Sequence, residues 1–175
     1  MVENNEILAL SRESFDPQVV YDSLNERSWQ IRLEGSVAGY LPIGKISTIK
    51  TSLRGGAIYS PAQIIRNEQF RLGGNKILRG FDEENFTASV YAVGTVEYRL
   101  LIGTNSYIFL FGDIGYIEDS SEEKKVFDQP TGFGGGVTLE TKVGIFGISL
   151  AFGSQNTQPL DLRNSKIHFG YLSLF

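Results

Sequence analysis

Lys166-Ile-His-Phe-Gly-Tyr-Leu-Ser-Leu-Phe175 alternates residue by residue and stops on an aromatic side chain. In an extended strand Ile167, Phe169, Tyr171 and Phe175 share one face, and Lys166, His168 and Gly170 share the other. A bare aromatic strand of this kind is an edge that invites pairing with another chain. A closed barrel has no edge, and in a membrane its outward apolar face meets lipid instead of water. The stretch therefore sets a transmembrane β-barrel against a soluble barrel or sandwich with one buried face.

The same period of two runs back through the chain. Between Ser28 and Leu41, Trp29, Ile31, Leu33, Val37 and Leu41 oppose Gln30, Arg32, Glu34, Ser36 and Tyr40. Between Ile46 and Tyr59, Ile49, Leu53, Ala57 and Tyr59 oppose Lys50, Ser52 and Arg54. Phe86 to Ile102 sets Val90, Ala92, Val96, Tyr98 and Leu100 against Thr87, Ser89, Tyr91, Thr95, Glu97 and Arg99. Ser106 to Tyr116, Gly136 to Val143 and Ile145 to Gln155 repeat the pattern. With the terminal stretch this predicts seven strands, and an eighth near Glu6 to Ser11; Asp16 to Leu24 suits a short helical turn in a loop. The apolar face carries Ala, Val, Leu and Ile centrally, with Trp29, Tyr59, Tyr98 and Tyr116 near strand ends, as in the aromatic girdles of a membrane interface.

Connection lengths sharpen the choice. Pro42-Ile-Gly44, Gly103-Thr-Asn105 and Lys142-Val-Gly144 are tight. Ser60 to Asn85, Ile117 to Phe133 and Asn156 to Ser165 are long, and the two kinds alternate. Outer-membrane barrels have short periplasmic turns and long extracellular loops, which places the C-terminus on the periplasmic side. A mean hydropathy of −0.10 is compatible, because barrel strands are half polar. Met1 to Glu6 is acidic and lacks the features of a signal peptide; an exported protein of this sequence has lost its signal or begins inside a longer chain.

The 175 residues carry a net charge of −4 without blocks of one sign, which argues against nucleic-acid binding. Cysteine is absent, so disulfide scaffolds, cysteine metal sites and cysteine nucleophiles are excluded. Gly132-Phe-Gly-Gly-Gly136 is not followed by a Gly-Lys-Ser/Thr and opens a strand, so it is no phosphate loop. A G-x-S-x-G nucleophile elbow is missing, and Glu118 to Glu123 lacks EF-hand spacing and is better read as a solvated loop. The lone His168 is better read as a lumen-facing, structural histidine than as a metal ligand or catalytic base, which would need partners. No catalysis, metal or cofactor is expected.

The long connection from about residue 60 to 85 contains Phe70-Arg-Leu-Gly-Gly74 and Leu78-Arg-Gly-Phe81; Glu97-Tyr-Arg99 and Phe111-Gly-Asp-Ile-Gly115 follow. In this order, over roughly Phe70 to Phe175, the chain resembles the C-terminal half of barrels in the bacterial surface antigen superfamily. That superfamily includes the BamA and TamA assembly factors, two-partner-secretion transporters and barrels attached to patatin-like enzymes. Its hallmark is a loop that folds back into the lumen with a [V/I/L]-R-G-[F/Y] tip, followed by five strands, one carrying F-x-D-x-G; Leu78 to Phe81 and Phe111, Asp113 and Gly115 match. By parity Glu97 and Asp113 lie on the lumen faces of their strands. The resemblance implies that Arg79, Gly80 and Phe81 dock there, against Glu97, Asp113 and Gly115, with the planar guanidinium fork on the carboxylates. The ending is similar to the family's C-terminal signal at His168, Gly170 and Phe175, and departs from it at Ser173.

These readings predict one domain, residues 1–175: an antiparallel transmembrane β-barrel of about eight strands at the bacterial outer membrane, with an inward loop. An eight-stranded barrel is just filled by its own side chains, so a loop of this size needs a wider wall. The usual barrel of the family it resembles has about sixteen strands, which implies that the chain is half of such a wall or one unit of an oligomer; a monomeric eight-stranded barrel with its loop outside stays open. The implied function is insertion or translocation of proteins, with outer-membrane lipid, client barrels and a second copy or another barrel segment as partners. A membrane anchor for a surface enzyme such as a patatin-like phospholipase, and a soluble ligand-binding β-barrel, remain as alternatives.

Overall fold

The protein is seen in a computed structural model that describes residues 29–61, 64–121, 125–156 and 158–173. It is all-β. The elements are β1 (Ile31–Ile43), β2 (Ser47–Tyr59), β3 (Phe70–Leu72), β4 (Phe86–Ala88), β5 (Val90–Leu101), β6 (Tyr107–Asp119), β7 (Val126–Asp128), β8 (Thr131–Thr141), β9 (Gly144–Ser154) and β10 (Lys166–Leu172). The main sheet runs β1-β2-β5-β6-β8-β9-β10, with β7 paired to β6, and every neighbouring pair is antiparallel. It is not closed: among the described residues β1 pairs only with β2, and β10 only with β9. The seven predicted strands are present, five of them after the loop. The expected strand near Glu6 to Ser11, the turn at Asp16 to Leu24 and Phe175 lie outside the described residues.

Alternation decides the two faces. Along β6 every second residue is buried, with Phe109, Phe111, Asp113, Gly115 and Ile117 facing inward; Ile108, Leu110, Ile114 and Tyr116 between them are exposed. The exposed apolar face continues through Leu53, Val96, Ile148, Leu150, Ile167 and Phe169. A soluble sheet buries such a face, and a membrane sheet leaves it to the hydrocarbon. The inner face is where the protein packs its own core.

Two segments differ from the alternation. Phe86 to Ile102 is not one strand: β4 pairs with β3 of the loop, and β5 enters the wall. The change of partner falls at Ser89, whose N–H and hydroxyl both donate to the Glu118 carbonyl, at 2.8 and 2.9 Å. Hydropathy runs unbroken through this residue, so period alone cannot register the switch. Likewise β8 starts at Thr131, ahead of the expected Gly136, and β7 extends the β6 ladder, so the long connection after Ile117 is largely a raised hairpin. The glycines at 132 and 134–136 contribute no hydropathy signal and yet occupy ladder positions against β6 and β9.

Candidate functional site

The connection between β2 and β5 lies on the inner face of the sheet. A 3-10 turn at Arg66–Glu68 leads into β3, and β4 returns the chain to the wall. Phe70, Leu72, Leu78, Phe81, Phe86 and Ala88 of this connection form one buried cluster with Ile58, Tyr91, Val93 and Ile117 of the wall. Fully burying each such large side chain is worth about 1.5–3 kcal/mol, so the connection is a packed lobe with its own core. Edge-to-face ring pairs, Phe70 with Tyr91 at 5.0 Å and Phe81 with Phe86 at 4.9 Å, fix its orientation.

The tip of the lobe, Leu78 to Phe81, reaches across to β5, β6, β8, β9 and β10. Arg79 is its anchor. The Nε and Nη2 groups donate to the two oxygens of Asp113 at 2.9 and 2.8 Å, a bidentate fork. Nη1 donates to Glu97 at 2.9 Å, and the Arg79 backbone N–H adds a third bond to Asp113 at 3.0 Å. The guanidinium carbon lies 3.5 Å from the centre of the Phe111 ring, a cation–π contact. The side chains of Glu97 and Asp113 are 4% and 1% exposed, and that of Arg79 is 11% exposed. Burial acts to lower the pKa of Arg79, but its bonds to Asp113 and then Glu97 more than reverse this and raise it. Arg99 donates to the second oxygen of Glu97 at 2.6 Å and stacks over Tyr107, so both buried carboxylates are satisfied by cations.

The next residues need close backbone contact. Gly80 has φ +96°, and a Cβ there would sit 2.5 Å from the Phe152 carbonyl oxygen of β9. Any other residue would be strained and would clash. The wall is shaped to match: a Cβ on Gly132 of β8 would collide with the Arg79 carbonyl oxygen, and one on Gly115 of β6 would press on Leu78. Leu78 itself has φ +63°, a costly conformation for a branched residue, and is held there by near-complete burial. Phe81 is buried beside Gly153.

The last strand joins the site. The Gly80 N–H donates to Nε2 of His168 at 3.2 Å, so β10 holds the tip from the side opposite to β5. Nε2 can accept only when it carries no proton. The Lys166 ammonium pairs with Asp82 at 2.7 Å, next to the tip.

The structure thus brings Arg79, Gly80, Glu97, Asp113, Gly115 and His168 together, and buries Phe81 beside them. Gly170 lies near Asn75 of the lobe, and Phe175 falls outside the described residues. Three participants carry no such role in the sequence reading: Phe111 as the ring beneath the guanidinium, and Gly132 and Gly153 as the seat of the tip; His168, named there for the C-terminal pattern, serves here as a docking acceptor. Phe111 belongs to the F-x-D-x-G motif; Gly132 has the run Gly132 to Gly136 as its only signal, and Gly153, in β9, lies outside that run. Among the described residues no group of three His, Asp or Glu could hold a metal ion. The acidic stretch read as a solvated loop begins inside β6, whose last residues are Glu118 and Asp119: Glu118 is paired with Lys125 at 2.6 Å, and Asp119 accepts from Gln69 and Thr87. What the arrangement does chemically is fasten a loop: its charged groups are mutually neutralised and turned away from solvent.

The Omp85 superfamily domain matches residues 12–171 of the chain. No curated protein matches it.

Proposed function

This chain belongs to the Omp85 superfamily, and from that premise we propose that it forms part of the wall of a bacterial outer-membrane β-barrel that helps to insert or translocate other proteins. The superfamily is in general one of outer-membrane assembly and secretion, without enzymatic turnover. The observation that carries the reading is the pair of faces on β6: Leu110 and Ile114 are 64% and 61% exposed, while Phe111 and Asp113 beside them are buried under the lobe. The outer face then contacts lipid and the lobe occupies the lumen. A soluble ligand-binding barrel would leave the apolar face in water, which opposes that alternative.

In this reading the Arg79 tip braces five strands from inside and holds the lobe in the lumen until a client displaces it. The edges of β1 and β10, unpaired among the described residues, are where a second copy, another barrel segment or a client strand pairs by strand addition. The test is reconstitution. The full chain is folded into liposomes, and an unfolded outer-membrane β-barrel is added as client. Faster conversion of the client to a protease-resistant form than in empty liposomes is expected. An unchanged rate refutes the insertion role. The closeness of the docking gives a second reading some support, that of a passive membrane anchor for an enzyme such as a patatin-like phospholipase. An anchor folds into the bilayer and leaves client insertion unaffected.

A further inference from the structure

We propose that the inner face of β1, β2 and β5 carries a binding site for a phosphate-bearing anion, held by Lys50 and Lys76. This rests on the reading of that face as a water-filled lumen. A cavity of about 260 Å³ lies between the wall and the lobe, with Lys50, Arg54 and Lys76 around it and hydroxyls from Tyr40, Ser52 and Thr95. The nearby carboxylates are already taken. Glu34 accepts from Arg54 and from the Tyr91 hydroxyl, Glu97 from Arg79 and Arg99, and Asp113 from Arg79. Lys50 comes from the wall and Lys76 from the lobe, and neither makes an ion pair among the described residues.

The placement is selective. The chain as a whole carries −4, so a cavity lined by Lys50, Arg54 and Lys76 and by no carboxylate is a local reversal of sign. A cleft of one sign between low-dielectric walls focuses its field on a counter-ion. The volume falls just below the roughly 300–1,000 Å³ of sites for drug-sized ligands, which suits a small phosphate or diphosphate group. Ammonium groups supply charge without a fixed geometry, and the three hydroxyls supply donors for the remaining oxygens. Because Lys76 belongs to the lobe and Lys50 to the wall, a bound anion also bridges the two.

Phosphate could come from a soluble ligand or from a lipid headgroup, and the experiment separates these. The full chain in a zwitterionic detergent is titrated with inorganic pyrophosphate by calorimetry at low salt, beside the K50Q/K76Q and K50R/K76R double variants. Nanodiscs with and without phosphatidylglycerol form the lipid arm, read as a shift in thermal unfolding. Saturable binding that weakens at least about tenfold in K50Q/K76Q, and is kept in K50R/K76R, is expected. A lysine-dependent shift in the lipid arm alone assigns the phosphate to a headgroup. The inference is overturned if neither arm responds, or if K50Q/K76Q responds as the unaltered chain does. Folding into the nanodiscs, followed by circular dichroism, reports on the barrel reading separately.

Discussion

Replacing Arg79 by Ala tests the docked loop directly. The change removes three side-chain hydrogen bonds, two to Asp113 and one to Glu97, and the contact over Phe111. It leaves two carboxylates buried. Glu97 keeps Arg99 at 2.6 Å, and Asp113 keeps the backbone N–H of residue 79 at 3.0 Å. Breaking a buried pair by removing one partner costs about 3–5 kcal/mol, and the retained bonds place this case near about 3. At 1.36 kcal/mol per tenfold, the ratio of docked to released lobe falls by roughly a hundredfold. Trypsin reads that ratio, because Arg71 and Lys76 lie in the lobe and cleavage tracks the open population when reclosing is fast. Cleavage after Lys76 in liposome-embedded protein, followed by mass spectrometry, is expected to accelerate by about that factor. Adding D113N to R79A should recover part of the loss, since a neutral amide costs less to strand than a charge, while Glu97 keeps its pair with Arg99. An unchanged cleavage rate in R79A, or no recovery in the double variant, would refute the reasoning.

Gly132→Ala pushes a methyl into the Arg79 carbonyl and should weaken docking by about 1–3 kcal/mol, seen as faster trypsin cleavage after Lys76. Leu110→Arg places a charge on the outer face and should cost about 2–4 kcal/mol of folding into bilayers at mid-membrane depth; equal folding yields at matched urea would contradict a lipid-facing strand. Nε2 of His168 accepts from the Gly80 N–H, so His168→Ala strands that buried amide and should loosen the tip by about 1–3 kcal/mol; hydrogen exchange at Gly80 should then rise relative to other lobe amides, and an unchanged rate would contradict the bond.

Much of the wall was legible because period two survives wherever one face is apolar and the other is not. Parity alone placed Glu97 and Asp113 on the inner side, where the structure has them. Parity is blind to partner choice: nothing in Phe86 to Ile102 tells that Phe86–Ala88 pairs with the lobe and the remainder with the wall. It is also blind to glycine, whose meaning here is the side chain it lacks. Gly132 and Gly153 make room for a backbone that passes at contact distance, a property of two distant segments and of neither alone. His168 was read as part of a terminal pattern because its partner, Gly80, is 88 residues away. Arg79 was legible only through the motif around it, since its two carboxylates come from different strands.

The strand order has a consequence for how the wall is completed. Seven long strands, each antiparallel to the next, give β1 and β10 the same direction. Bending this sheet until its own edges meet would join two strands pointing the same way. Rotating a second such sheet about the barrel axis changes nothing, for both seams would again be parallel. An all-antiparallel circle has an even count, so the gap between β10 and the next β1 must hold an odd number of strands, whichever polypeptide supplies them.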